Sequence, residues 1–236
     1  MLGLRVMDYI ALLFFCACWL GYNLTVERFS MAASSLNKTM DTYRTEWMRQ
    51  LTVRDNRIVD TTIMGSLQNG AAFFASTSLL ALGGALTLFR SPDDVLQVMS
   101  AFPFGESVTT RMAWETKTLG LTFIFIYAFF KFGWAYRIFN YAAILVGAVP
   151  VIKLSDVTDE KLQEAYEAAD RAARMNTVAG RHFNRGQRAF FFALAYLSWF
   201  ISAYALILAT AAVLFVMWRR QFASEARAVF RPLPKK

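Results

Sequence analysis

Side chains able to do acid–base or ion-binding chemistry are few in this sequence, and they are grouped. Arg54, Asp55, Arg57 and Asp60 put four charges between residues 54 and 60, after which no charge follows until Arg90. Such a cluster at the edge of an apolar block suits two chemistries. It can anchor a helix at a membrane surface through ion pairs, or its guanidinium groups can hold an anion or a lipid headgroup. A spacing of three puts Arg57 and Asp60 within reach of each other on a helix, and they are expected to pair. In the uncharged run that follows, Gly65, Asn69, Ala72, Ser76, Gly83 and Thr87 fall on one helical stripe at steps of three, four or their sum. Small residues let helices approach closely, and amides and hydroxyls hydrogen-bond across such contacts. The same stripe also suits the wall of a polar cavity or pore. An Asn amide facing hydrocarbon leaves polar groups unpaired, so the stripe is expected to face protein or water.

Lys131 and Arg137 stand among Phe132, Trp134, Tyr136, Phe139 and Tyr141, a mixture of cation and aromatic typical of a membrane interface. The one histidine, His182, lies between Gly180 and Gly186 and is expected in a turn leading into the last apolar block, near Asn184, Arg185 and Arg188. Lys131, Arg137, His182 and Arg185 are therefore candidates for contact with an anion or lipid headgroup. A lone imidazole does not build a metal site, and Cys16 and Cys18 point in different directions on a helix. No metal and no cofactor is expected. The sequence contains no P-loop, HExxH, GxSxG or CxxC pattern and no pair of histidines for haem. Acids of the kind used in proton relays are limited to Asp8 and Glu115, near the ends of apolar blocks. No catalytic residue is assigned, and a non-enzymatic role is expected.

The elements that must position these residues follow from apolar patterning. Hydrophobic residues make up 56% of the 236-residue chain and charged residues 18%, and the mean hydropathy is +0.35. The apolar excess is gathered in four blocks, which points to an all-α polytopic membrane bundle of about four spans, near residues 6–25, 63–89, 112–138 and 189–217. The first block lacks a small-x-small cleavage site and is expected to be a retained span. Long helical extensions should form a layer beside the membrane. Over residues 26–60, Leu36, Met40, Tyr43, Trp47 and Leu51 mark one helical face, and no Pro or Gly interrupts residues 22–64, so a long helix in one or two pieces is expected. Residues 155–178 lead with acids and trail with arginines, as the helix dipole favours, with a small-residue stripe at Leu162, Ala165, Ala169 and Ala172. The stretches SPDD and FPFGES carry turn signals. Residues 1–218 thus form a single membrane domain, followed by a basic, mobile tail at 219–236.

Net charge is +8. Lys and Arg cluster beside the apolar blocks, a pattern that fits anionic lipid headgroups and the positive-inside rule; nucleic acid is not an expected partner. With four spans, the two large polar segments fall on one face and the tail on the other, although all three are basic. The charges near the first three spans favour cytoplasmic polar segments and therefore periplasmic termini.

Three segments, RDNRIVDTTIMGSLQNGAAFFASTSLLALGG, KFGWAYRIFNYAAILVGAVP and GRHFNRGQRAFFFALAYLSWF, together resemble an uncharacterised family of bacterial integral membrane proteins, the domain of unknown function numbered 599. The resemblance runs from the first span to the fourth and leaves out the tail. It implies a multi-pass inner-membrane protein and transfers no catalytic residue. Two roles fit the residues. One is a homo-oligomeric channel or small-solute or ion transport protein with the stripe facing a shared pathway. The other is a non-catalytic accessory or scaffold subunit of a larger membrane complex. A four-span protomer encloses little volume, so a pore would need several copies.

Overall fold

The computed structural model describes residues 3–28, 35–90, 110–153, 155 and 157–230. Nearly all of the SPDD–FPFGES connection, residues 29–34 of the first polar segment and residues 231–236 of the tail lie outside the described residues. The elements in order are α1 (Val6–Arg28), α2 (Leu36–Gln50), α3 (Ile58–Arg90), α4 (Arg111–Ala148), α5 (Asp159–Leu197), a 3₁₀ turn (Ser198–Phe200), α6 (Ala203–Phe222) and a short α7 (Glu225–Ala228). No strand occurs among the described residues, and the chain is an all-α helical bundle. Among the described residues, four helical stretches are long and apolar enough to cross a membrane: Val6–Glu27, Ile58–Phe89, Arg111–Ala148 and Ala203–Ala228.

Helix ends follow local chemistry. At the start of α3 the Asn56 side chain accepts from the Ile58 N–H at 3.0 Å, and Asp60 in the first turn suits the positive end of the dipole. The run 189–217 carries no Gly or Pro and reads as one unbroken span, yet α5 ends at Leu197 and α6 starts at Ala203. Two serines make the break. The Ser198 carbonyl accepts from both the Ile201 and Ser202 N–H groups, at 3.0 and 3.2 Å. Ser202 is extended (φ −165, ψ 161), and its hydroxyl accepts from the Ala205 N–H, capping α6.

The reverse holds at His182. In place of the expected turn, α5 runs straight through Gly180 and Gly186. Those glycines are points of close approach. A Cβ on Gly186 would lie 2.7 Å from the Phe132 ring, and one on Gly180 would lie 3.0 Å from the Arg44 guanidinium.

Contacts divide the chain into two compact units, one of Met1–Asn37, Ser78–Tyr127 and Gln187–Lys236, the other of Lys38–Thr77 and Ala128–Gly186. In the second unit, Met48 from α2, Leu51 from the turn that follows it, Met64 from α3, Phe139 from α4 and a run of α5 alanines share one core. Ala165, Ala169 and Ala172 are fully buried, as their stripe led one to expect, because alanine adds little bulk between adjacent helices. Of the expected face, Trp47 and Leu51 meet the core beside Met48, whereas Met40 and Tyr43 are exposed.

In the first unit the helix directions can be read from paired residues. Along α1, Phe15 meets Phe192 and Tyr196 at ring separations of 5.6 and 5.4 Å, and Asn23 accepts from Arg188, so α5 runs antiparallel to α1. Phe125 meets Phe190, and a Cβ on Gly120 would collide with the Tyr196 hydroxyl, so α5 is antiparallel to α4 as well. After the break, α6 lies beside α1, where the Tyr22 hydroxyl donates to the Met217 carbonyl at 3.2 Å.

Candidate functional site

The first unit holds a buried charged centre. Lys117, two turns into α4, is fully buried, and Asp8 is 5% exposed. The helix break supplies the third member. Where α5 stops, the Trp199 carbonyl accepts from Lys117 Nζ at 3.0 Å. The ammonium thus stands where a helical N–H would otherwise be. Asp8 Oδ1 accepts from Trp199 Nε1 at 2.7 Å and lies 3.7 Å from Lys117 Nζ, while Oδ2 accepts from the Arg5 N–H at 3.0 Å. Lys117 also sits 5.2 Å from the centre of the Trp199 ring. Together these contacts neutralise a charge that hydrocarbon would not tolerate alone. Toward the other end of α1, Arg188 donates to Asn23 Oδ1 at 2.6 Å and pairs with Glu27. Sequence reasoning noted Asp8 and did not single out Lys117; its one signal was a lysine two turns inside an apolar block.

In the second unit, Asp60 is fully buried, and its Oδ1 accepts from Trp47 Nε1 at 2.7 Å and Arg54 at 2.6 Å. The expected Arg57–Asp60 pair is not made. Arg57 donates instead to the carbonyls of Val146, Val149 and Leu51, at 2.8, 2.5 and 3.2 Å. The cause is the end of α4, whose last carbonyls lack helical partners and carry the negative end of its dipole. Arg54 and Arg57 are both committed within the chain, and Asp55 is exposed. A bidentate pair joins α2 to α5, with Arg49 donating to Asp170 at 2.9 and 3.1 Å. The hydrogen bond from Arg49 holds the Asp170 carboxyl below its ordinary pKa.

The stripe on α3 is open. The side of α3 that packs is marked by Asp60, Met64, Ala71, Ser78 and Ala85, all buried. Of the stripe, Gly65 and Ala72 are half-buried and Asn69, Ser76, Gly83 and Thr87 are exposed. Among the described residues, nothing lies within 4 Å of a Cβ built on Gly65 or Gly83. The Thr87 hydroxyl donates to the Gly83 carbonyl at 3.1 Å, whereas Asn69 and Ser76 make no hydrogen bond among the described residues. The amide that does cross to another helix is one position earlier, where Gln68 donates to Asn140 at 2.8 Å. Among the described residues the stripe is therefore not an internal packing face.

Of the four candidate headgroup contacts, two share an aromatic wall. Arg137 is exposed, donates to the Tyr141 hydroxyl at 2.8 Å and lies 5.6 Å from the ring centres of both Trp134 and Tyr141. Trp134 meets His182 edge-on at 6.5 Å. Lys131 and Arg185 are half-buried.

A family model described as "Protein of unknown function, DUF599" matches residues 10–226. No curated protein and no solved structure matches the chain.

Proposed function

The chain belongs to this DUF599 family, and from that premise we propose that it is a multi-pass protein of the bacterial inner membrane that works as a homo-oligomer, its α3 stripe turned toward neighbouring copies and lining a route for an ion or small solute. The observation that supports this reading is the openness of a polar stripe on a helix of membrane-spanning length and apolarity. Lipid beside Asn69 would leave its amide unpaired, at several kcal/mol on the order given for apolar transfer. A second copy offers amide and hydroxyl partners, and the glycines let the backbones come close. A ring of copies would gather the stripes around an axis. Anionic lipids are the natural surroundings of Arg137 and its aromatic neighbours. The reading includes no catalytic step and no cofactor.

Asn69→Leu tests it. The variant should fold as a protomer, lose oligomer in native gels, and abolish flux in vesicles that the wild-type protein makes permeable. Wild-type vesicles impermeable to every common ion, together with loss of a co-purifying chain from the variant, would remove the transport reading and leave an accessory subunit of a larger complex.

A further inference from the structure

We infer that the C-terminal part of α5, about residues 183–199, crosses the membrane as a pass of its own, so that the chain makes five passes and its basic C-terminal tail lies on the cytoplasmic face, opposite the N-terminus. The polar first half of α5 hides this segment from any average over the helix, yet Ala189 to Phe200 carries no charge. Its neighbours fix its depth. Trp199 donates to Asp8, near the first residue of α1; Phe192 packs on Phe15; Arg188 reaches Asn23 and Glu27, near the last. α1 itself has membrane-spanning length and apolarity, and the α5 segment lies against most of it. Two cations, Arg185 and Arg188, lie at its entry, and Arg188 is matched by Glu27, which lowers the penalty of placing it there. The chain then reverses through Ser198–Ser202. α6 starts at the Asp8 end and returns parallel to α1, as the Tyr22–Met217 bond requires. Its 20 residues span ~30 Å, one bilayer core.

Charge supports the same count independently. Five passes put residues 28–57, the segment that joins α4 to the membrane part of α5, and the tail on one face. The connection at 91–110 contains no Lys or Arg and has Asp93, Asp94 and Glu106. Of the 25 Lys and Arg residues, only Arg5, Arg90, Arg111 and Lys117 sit toward the opposite face. A bias this large orients the basic face to the cytoplasm. The opposition between the tail and the two polar segments, inherent in four passes, disappears.

The test uses the full-length chain with Cys16→Ala and Cys18→Ala and one new cysteine at Tyr166, Ile201 or Val229, which are 38%, 50% and 78% exposed. A membrane-impermeant maleimide is added to spheroplasts before and after permeabilisation. Ile201→Cys should react fully from outside, and Tyr166→Cys and Val229→Cys only once the membrane is opened. Val229→Cys reacting from outside while Tyr166→Cys does not would overturn the inference. So would Ile201→Cys that stays unreactive until the bilayer is dissolved. A fluorescent protein that matures only in the cytoplasm, fused to the C-terminus, gives a readout independent of the cysteine variants; bright cells are expected, and dark cells with full-length protein in the membrane contradict the fifth pass.

Discussion

Lys117 has no solvent to return to if its partners are removed. The ion pair with Asp8 and the bond to the Trp199 carbonyl are its neutralising contacts. Breaking a buried pair on one side leaves a bare charge, at about 3–5 kcal/mol, while removing both charges is far milder. Asp8→Asn should therefore lower thermal stability in detergent sharply, and Asp8→Asn combined with Lys117→Met should recover much of the loss. Arg57→Met strips several charge-assisted hydrogen bonds from the end of α4 and should destabilise by about 2–3 kcal/mol, whereas Asp55→Asn should stay within about 0.5 kcal/mol. Asp170 adds a pH signature. Its carboxyl titrates below the ordinary value because Arg49 binds the ionised form. The Arg49–Asp170 contact is thus fully present above about pH 4 and fades as pH falls through the lowered value. Protease cleavage of α2 should rise in that acid window in the wild type, and Asp170→Asn should show no such step. The charges at 54–60 were plain in the sequence, but their pairing was not. Arg57 binds a carbonyl 92 positions away, and no local spacing encodes that.

At the scale of elements, helix identity was legible wherever the apolar period was long, and which face packs was not. On a membrane helix the outward side is apolar too, so polarity alone does not tell the core from the lipid. The wheel put Asn69 on a stripe expected to face protein or water; the amide that bonds another helix within the chain is Gln68, one position and about 100° away. Glycines misled for a related reason. Gly186 signals a turn in an isolated sequence; here it leaves room for Phe132, which is fully buried, stacks on Phe74 and meets Phe183 edge-on. Gly186→Ala should cost about 1–3 kcal/mol through overpacking, measured by thermal unfolding in detergent. Gly83→Ala meets no atom of the described residues, and helix propensity favours alanine by up to ~1 kcal/mol. It should leave protomer unfolding unchanged or raised and reduce only the yield of the proposed oligomer.

For the molecule as a whole, the all-α class and the apolar blocks were visible from composition and patterning, because hydrocarbon tolerates little but helices and closed barrels. The break in the last block was not, since the two serines that make it also occur within continuous membrane helices. Its consequence reaches back to synthesis. Ala189–Phe200 falls well short of the roughly 20 apolar residues that let a nascent segment leave the translocon for lipid unaided. Alone it should stall in the aqueous channel until α6 has been made. The Ser198–Ser202 bend then lets the two enter together, the long helix drawing in the short one as a hairpin. A chain truncated after Ser202 and released from the ribosome should keep residues 189–200 open to protease in the membrane fraction, and one extended past Phe222 should protect them. In that view the two serines set the moment of membrane entry, and the second half of α5 remains unanchored cargo for as long as α6 is unwritten.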